Sequence, residues 1–317
     1  MADPISVRPY RDSDLNAVLE VLRRALGETP LLKRTPELFS WKHFDNPYGR
    51  SIILLAESEG RIAGVRAFMR WELVTPSGRV VRCVRAVDTA TDPDFQRRGL
   101  FRLLTTEAVE VARSEGVELI LNTPNPKSGA GYLTMGWQEV GPIGVLARPR
   151  LRHLGGRTLG ELLPSADETL PGALPVSPLL SAARRPRGLR TVRTEEYLRW
   201  RFTQHPTARY VQVEREGGIA ILRPNLRAGR TEVVVSDLFG PHPSAAVRTA
   251  ARQTRAAYLV SWASRGSPER SALIRGGLLP IPKLQVLTLM ARPLVDLGLD
   301  VANPDTWDFC LSDLELL

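Results

Sequence analysis

The sequence predicts an α/β protein made of two related domains. Hydrophobic spacing switches repeatedly between the two-residue period of strands and the 3.6-residue period of helices. One strand runs into a helix through the basic loop Asp92-Pro93-Asp94-Phe95-Gln96-Arg97-Arg98-Gly99-Leu100-Phe101. The second half of the chain also repeats spacings found in the first.

Taken in order, Ile5 to Pro9 reads as a strand, and Asp12 to Leu26 as an amphipathic helix. Ser13 or Asp12 is the candidate cap of that helix, and Leu15, Val18, Leu19 and Leu22 form its apolar stripe. Thr35 opens a second short helix that ends before Pro47. Strands are expected at Ser51 to Glu57, Ile62 to Val74 and Val80 to Thr91, joined by turns at Ser58-Glu59-Gly60 and Pro76-Ser77-Gly78. Pro93 stops the third of these, and Leu100, Leu104, Ala108 and Val111 mark one face of the helix that follows. A short buried strand, Leu119-Ile120-Leu121-Asn122, precedes Asn125-Pro126-Lys127-Ser128 and then Tyr132-Leu133-Thr134-Met135-Gly136-Trp137.

The loop before Leu100 suits a phosphate. The first turn of a helix leaves backbone N–H groups without intrahelical partners, and they carry the positive end of the helix dipole. Gly99 permits close approach to the main chain, and Arg97 and Arg98 add charge. The Gly-Lys-Ser/Thr ending of a nucleoside triphosphate loop and the three spaced glycines of a dinucleotide fold are both missing.

Gln-x-x-Gly-x-x at a strand-to-helix junction, followed by Asn125, Ser128 and Tyr132 four residues before Gly136-Trp137, resembles the GNAT superfamily of acyl-CoA N-acyltransferases over residues 1 to about 150. The resemblance implies a twisted mixed β-sheet flanked by helices in each domain. It implies that the amides of Gln96, Arg97, Arg98, Gly99, Leu100 and Phe101 bind the coenzyme A diphosphate. It further implies that Thr89, Ala90 and Thr91 offer main-chain groups to the pantetheine arm, that Asn125 and Ser128 are polar contacts to the cofactor, and that Tyr132 protonates the departing thiolate. Phe101 departs from the family's usual Gly or Ala and is read as a packing variation that points into the helix.

The chemistry asks for an acid near the sulfur and for an uncharged amine. Asp88 is the leading candidate base, with Val84, Ala86 and Ala90 on its own side of the strand alternation; a structural ion pair with one of the arginines is its competing role. Glu72, Asp92 and the terminal carboxylate are the alternatives. Tyr132 has its own competing role as a core aromatic under the Gly136-Trp137 turn.

Composition sets the limits. The 317 residues are 43% hydrophobic and 24% charged, ordinary for a globular protein and long enough for two domains. Net charge is +9, and only Lys33, Lys42, Lys127 and Lys283 are lysines, so 39 of the 43 basic residues are arginines. This skew matches a high-GC coding bias as well as it matches an anionic partner, so charge alone does not choose between coenzyme A and RNA. Cys83 and Cys310 are too few and too far apart for a disulfide framework, and His43, His153, His205 and His242 show no ligand spacing, so no metal is expected. The first residues carry no signal-peptide pattern and no run of about 18 apolar residues occurs, so a cytoplasmic protein without a membrane partner is expected.

The domains are read as 1–150, catalytic; 151–192, a connector rich in Pro and Gly with a short helix at Leu159 to Leu163; and 193–317, a degenerate copy. Thr35, Glu37, Trp41 and Pro47 recur 159 residues later as Thr194, Glu196, Trp200 and Pro206, and Glu59-Gly60-Arg61-Ile62-Ala63 recurs as Glu216-Gly217-Gly218-Ile219-Ala220. Ala147-Arg148-Pro149 returns as Ala291-Arg292-Pro293. Between Val233-Val234-Val235 and a helix at Ser244 to Arg255 the copy has no phosphate loop, and Ala272 or Leu273 replaces Tyr132. Trp200 is read as a core anchor. After Arg292 only acidic charges remain, expected to be solvated, and the alternation Trp307-Asp308-Phe309-Cys310-Leu311 suggests a final strand that returns to the first domain.

The function expected is acetyl transfer from acetyl-CoA to an amine in a ternary complex, the acetyl group being the family's commonest cargo. The acceptor is a small-molecule, sugar or protein amine. The alternatives are a Fem-type aminoacyl transferase using aminoacyl-tRNA, and a non-catalytic module binding acyl-CoA or RNA.

Overall fold

The computed structural model describes residues 4–29, 33–126, 128–149, 176–227 and 230–314; the helix expected at Leu159 to Leu163 lies outside them. The chain opens with β1 (Ser6–Pro9), α1 (Leu15–Leu26) and α2 (Pro36–His43). A tight 3₁₀ turn over Asp12–Asp14 takes up the residues expected to cap α1. The carboxylate that accepts the backbone N–H of Arg11, at 2.7 Å, is therefore that of Asp14 and not of Asp12.

Next come β2 (Ile52–Ser58), β3 (Arg61–Val74) and β4 (Val80–Thr91). Then follow α3 (Leu100–Ser114), β5 (Leu119–Asn122), α4 (Gly129–Leu133) and β6 (Gln138–Pro149). The later residues form α5 (Val176–Ser181), β7 (Arg190–Thr191), α6 (Glu195–Leu198), β8 (Val211–Arg215), β9 (Gly218–Arg227) and β10 (Arg230–Phe239). The series ends with α7 (Pro243–Gln253), β11 (Tyr258–Ser261), α8 (Pro268–Arg275) and β12 (Leu279–Pro293).

Two compact units result, and they cut across the boundary expected at residue 150. The first holds Met1–Leu73, Val80–Val140 and Leu289–Ala302; the second holds Val74–Arg79, Gly141–Thr288 and Asn303–Leu317. In the first the strand order is β1-β2-β3-β4-β5-β12, with β4 parallel to β5 and β5 antiparallel to Met290–Pro293 of β12. In the second it is β8-β9-β10-β11-β6, with β10 parallel to β11 and β11 antiparallel to Leu146–Pro149 of β6. Each unit thus has a mixed sheet whose last strand is the final strand of the other half of the sequence.

In the first unit, α3 buries Leu100, Leu104, Ala108 and Val109 with Leu54, Phe68, Val84 and Ile120. α1 and α2 bury Val18, Leu22 and Phe39 with Ile53, Leu55 and Val65. Successive residues of β2 therefore serve opposite layers, as the strand period requires. β4 breaks this count. Asp88 has a left-handed φ of 42°, and beyond it Ala90 packs with the α1 layer while Val84 and Ala86 pack with the α3 layer. Ala90 is therefore not on the side of Val84 and Ala86, because one left-handed residue shifts the alternation by a position.

The acidic tail meets expectation at Asp296, Asp300 and Asp305, which are exposed, and departs from it farther on. Trp307 and Cys310 make only isolated bridges, to Leu189 and Ala263, between 3₁₀ turns at Pro304–Thr306 and Leu311–Leu314. These bridges lie within the second unit. Asp308 and Asp313 are buried, not solvated: Asp308 accepts from Arg184 at 2.6 Å, and Asp313 accepts the Cys310 N–H at 2.7 Å beside Arg193. The arginines upstream of the tail supply the countercharge that makes this burial tolerable.

Candidate active site

The site is built on the ends of β4 and β5. Parallel pairing between them is confined to Cys83, Val84 and Arg85 of β4, opposite Leu119, Ile120 and Leu121 of β5. From there β4 continues to Thr91 without β5, which ends at Asn122. Thr89, Ala90 and Thr91 lie on the part of β4 that has left β5. Asn122 is buried at this mouth, and its Oδ1 has no hydrogen-bond partner among the described residues.

Beyond Thr91, Asp92 caps a 3₁₀ turn, Pro93–Phe95, by accepting the Asp94 N–H at 2.9 Å. Gln96 is extended, Arg97 and Gly99 are left-handed with φ of 63° and 76°, and α3 begins at Leu100. The amides of Arg102 and Leu103 both return to the Gly99 carbonyl, at 3.1 and 3.0 Å, so those of Leu100 and Phe101 belong to the unpaired first turn. Gln96, Arg97, Arg98 and Gly99 are exposed, and a Cβ at Gly99 would meet nothing within 4 Å. Arg98 lies over the Phe95 ring at 5.0 Å, which keeps its charge beside the loop. An open, amide-rich and basic corner of this kind fits a diphosphate.

Tyr132 on α4 is buried, with its ring tilted on Trp137 at 5.0 Å and edge-on to Phe101 at 5.1 Å. Phe101 therefore does more than vary the packing of α3. It walls one side of Tyr132 and leaves space only for a glycine at 131, where a Cβ would come within 2.8 Å of its ring. The Tyr132 hydroxyl accepts a hydrogen bond from Arg66 Nη1 at 2.6 Å, and the same nitrogen donates to Thr89 Oγ1. Arg66 and the Thr89 hydroxyl are the site groups that sequence reasoning missed. The available signal was a lone arginine inside the apolar run Ala63-Gly64-Val65-Arg66-Ala67-Phe68-Met69.

Asn125 and Ser128 bond to each other. The Ser128 N–H donates to Asn125 Oδ1 at 3.0 Å and the Ser128 hydroxyl at 3.2 Å, which shapes the turn leading into α4. Asp88 sits beside two cations and an imidazole: Arg34 Nη1 at 3.1 Å, Lys42 Nζ at 3.2 Å and His43 Nε2 at 3.1 Å. Burial pushes its carboxyl up, but Lys42, the His43 hydrogen bond and Arg34 outweigh that and hold it well below the usual aspartate range. The same pairing occurs in the second unit, where Arg193, 159 residues after Arg34, meets Asp237 of β10 at 2.8 Å. Of the other candidate bases, Asp92 pairs with Arg24 at 2.7 Å and Glu72 is half-buried, while the terminal carboxylate lies outside the described residues.

Residues 6–140 match the family model of the acetyltransferase (GNAT) domain. No curated protein matches the chain significantly in sequence. Among solved structures, a GCN5-related N-acetyltransferase from Anabaena variabilis superposes with a TM-score of 0.62 at 11% identity, over 92% of this chain and 73% of that one. Eis1 from Mycobacterium abscessus gives 0.57 at 14% identity, again over 92% and 73%. The Saccharomyces cerevisiae N-myristoyltransferase solved with myristoyl-CoA gives 0.58 at 13% identity, over 97% and 84%. Residues 6–140 thus carry a GNAT acetyltransferase domain, and the parted strands and the open helix start lie within it.

Proposed function

We propose that this protein acetylates an amine, drawing the acetyl group from acetyl-CoA by direct attack within a ternary complex. The observation that carries the reading is the parting of β4 and β5 beside the open loop that starts α3. Gln96 to Phe101 would hold the diphosphate, and Thr89 to Thr91 would hold the pantetheine arm by main-chain bonds. The donor supplies an activated thioester carbonyl. Tyr132 gives its hydroxyl proton to the sulfur as the carbon–sulfur bond breaks, which spares the site an unprotonated leaving thiolate.

Asp88 has a different part in this reading from the base first considered. A carboxylate held at low proton affinity by Lys42, Arg34 and a hydrogen bond with His43 is a weak acceptor, and its counterpart Asp237 stands in a unit without the phosphate loop. Asp88 therefore braces β4 at its kink, and the amine arrives uncharged. We also infer that the second unit is a copy of the first that no longer binds coenzyme A, and that the protein works in the cytoplasm, where the free and buried Cys83 and Cys310 stay reduced.

Thermal unfolding tests the donor. Acetyl-CoA at a hundred times its Kd should stabilise the parent by about 2.7 kcal/mol. In Gly99→Glu, which sets a carboxylate in the cradle, the shift should vanish. No stabilisation of the parent would sink the reading. Tyr132→Phe should keep the acetyl-CoA shift and lose about 10²- to 10⁴-fold in kcat, read as thiol release with a panel of amines.

A further inference from the structure

Arg66 is a charge that the mechanism above leaves unused. It lies on β3 opposite Leu54 of β2 and is fully buried. Among the described residues its Nε and Nη2 have no hydrogen-bond partner, and none of the ion pairs formed there includes it. In place of a carboxylate it has three rings, Phe68, Tyr132 and Phe101, with centroids 4.9, 5.2 and 5.9 Å from its guanidinium carbon. Ring faces return only part of the solvation that a buried cation gives up. Among the described residues no carboxylate lies within ion-pair distance of Arg66, and the proposed reaction creates a negative charge next to it.

Resting on the reading of Tyr132 as the acid, we propose that Arg66 is a positioning residue for Tyr132: it points the phenolic hydrogen away from itself and faces the charge that proton transfer leaves. Nη1 already donates to the Tyr132 oxygen, so the phenol's own hydrogen must lie elsewhere, free to be given. In the step, the carbon–sulfur bond breaks and its electron pair goes to sulfur. The O–H bond of Tyr132 breaks, the proton joins the sulfur and the pair stays on the phenolic oxygen, opposite Nη1. The proton lost by the attacking amine restores the tyrosine through solvent. Thr89, the second acceptor of Nη1, fixes the guanidinium between β4 and α4.

The test uses Arg66→Met and Arg66→Lys, each with and without Tyr132→Phe. Replacing an unpaired buried charge with an apolar chain of similar length does not cost stability. Arg66→Met should therefore melt at or above the parental temperature without ligand and keep its acetyl-CoA shift. Its kcat should fall about 10²-fold, with KM for acetyl-CoA unchanged. Arg66→Lys should recover a large part of that loss, and in the Tyr132→Phe background Arg66→Met should lower kcat no further. The inference is overturned if Arg66→Met melts well below the parent or fails to fold, if Arg66→Lys is no better than Met, or if the loss is the same in both backgrounds. Full turnover by Tyr132→Phe alone would instead bring down the acid assignment, before any change at Arg66.

Discussion

The two helix-opening loops that follow β4 in the first unit and β10 in the second make an instructive pair. Ahead of α3, Gly99 is left-handed and its missing side chain faces empty space. Ahead of α7, Gly240 is also left-handed, but a Cβ there would fall 2.0 Å from the carbonyl oxygen of Gly217, and its N–H is spent on Ala182. Gly218 is equally crowded by the His242 carbonyl at 2.1 Å. One loop keeps its amides for something outside the chain, and the other is sealed by the chain itself. Beneath them the architecture is shared. Thr35 and Thr194 cap α2 and α6 through the amides of Leu38 and Tyr197, at 3.2 and 3.1 Å. Glu59-Gly60 and Glu216-Gly217 are both left-handed pairs that close hairpins, and both units carry an Arg–Asp pair, at β4 and at β10. The two units thus agree where they support the sheet and differ at the loop that opens the following helix.

The widest gap between the units is expected from the aspartates. If Asp88 and Asp237 are braces, Asp237→Ala should destabilise by about 3–5 kcal/mol, since it takes the nearer carboxylate from the buried Arg193 and leaves it only Asp313, at 3.6 Å. Asp88→Ala should cost less, because Arg34 and Lys42 have some access to water. Urea unfolding measures both, and a substitution at Asp88 that left stability intact but stopped turnover would return it to the chemistry. Next in size are the glycines: Gly240→Ala should cost about 3 kcal/mol or more by backbone collision, and Gly99→Ala only about 1 kcal/mol for its left-handed φ. Equal losses would show that the first loop is as closed as the second.

Acid unfolding sharpens the comparison from the second unit alone. Burial raises the Glu269 carboxyl, but Arg190 and Arg184 outweigh it and hold it at about 2. A depressed carboxylate stabilises above its unfolded value, so this contribution should be full at neutral pH and disappear as pH falls from about 4.5 toward about 2, and Glu269→Gln should flatten that limb. The smallest effect should be the most symmetrical: Thr35→Ala and Thr194→Ala should each cost about 1 kcal/mol.

Much of this was legible in the chain. Val80–Thr91, Leu119–Asn122 and the start of α3 follow directly from period and punctuation, because Pro93 and Gly99 act through local backbone preference. The Asp88 kink was not legible, since alternation counts assume an extended backbone and nothing in the residue names marks the one that leaves it. Phe101 and Arg66 acquire meaning only when α3, α4 and β3 converge on Tyr132. The tail was misread because Trp307 and Phe309 alternate like a strand yet meet edge to face, with centroids 5.0 Å apart. Asp308 and Asp313 find arginines more than a hundred residues away, which periodicity cannot see.

The crossed allocation of β6 and β12 makes the halves mutually dependent during folding. A polypeptide ending at residue 150 would lack Met290–Pro293 and leave β5 with an open edge, an invitation to aggregate, while carrying a surplus strand of its own. Neither portion is then a severable module. Supplied together in one cell, they would have reason to find each other.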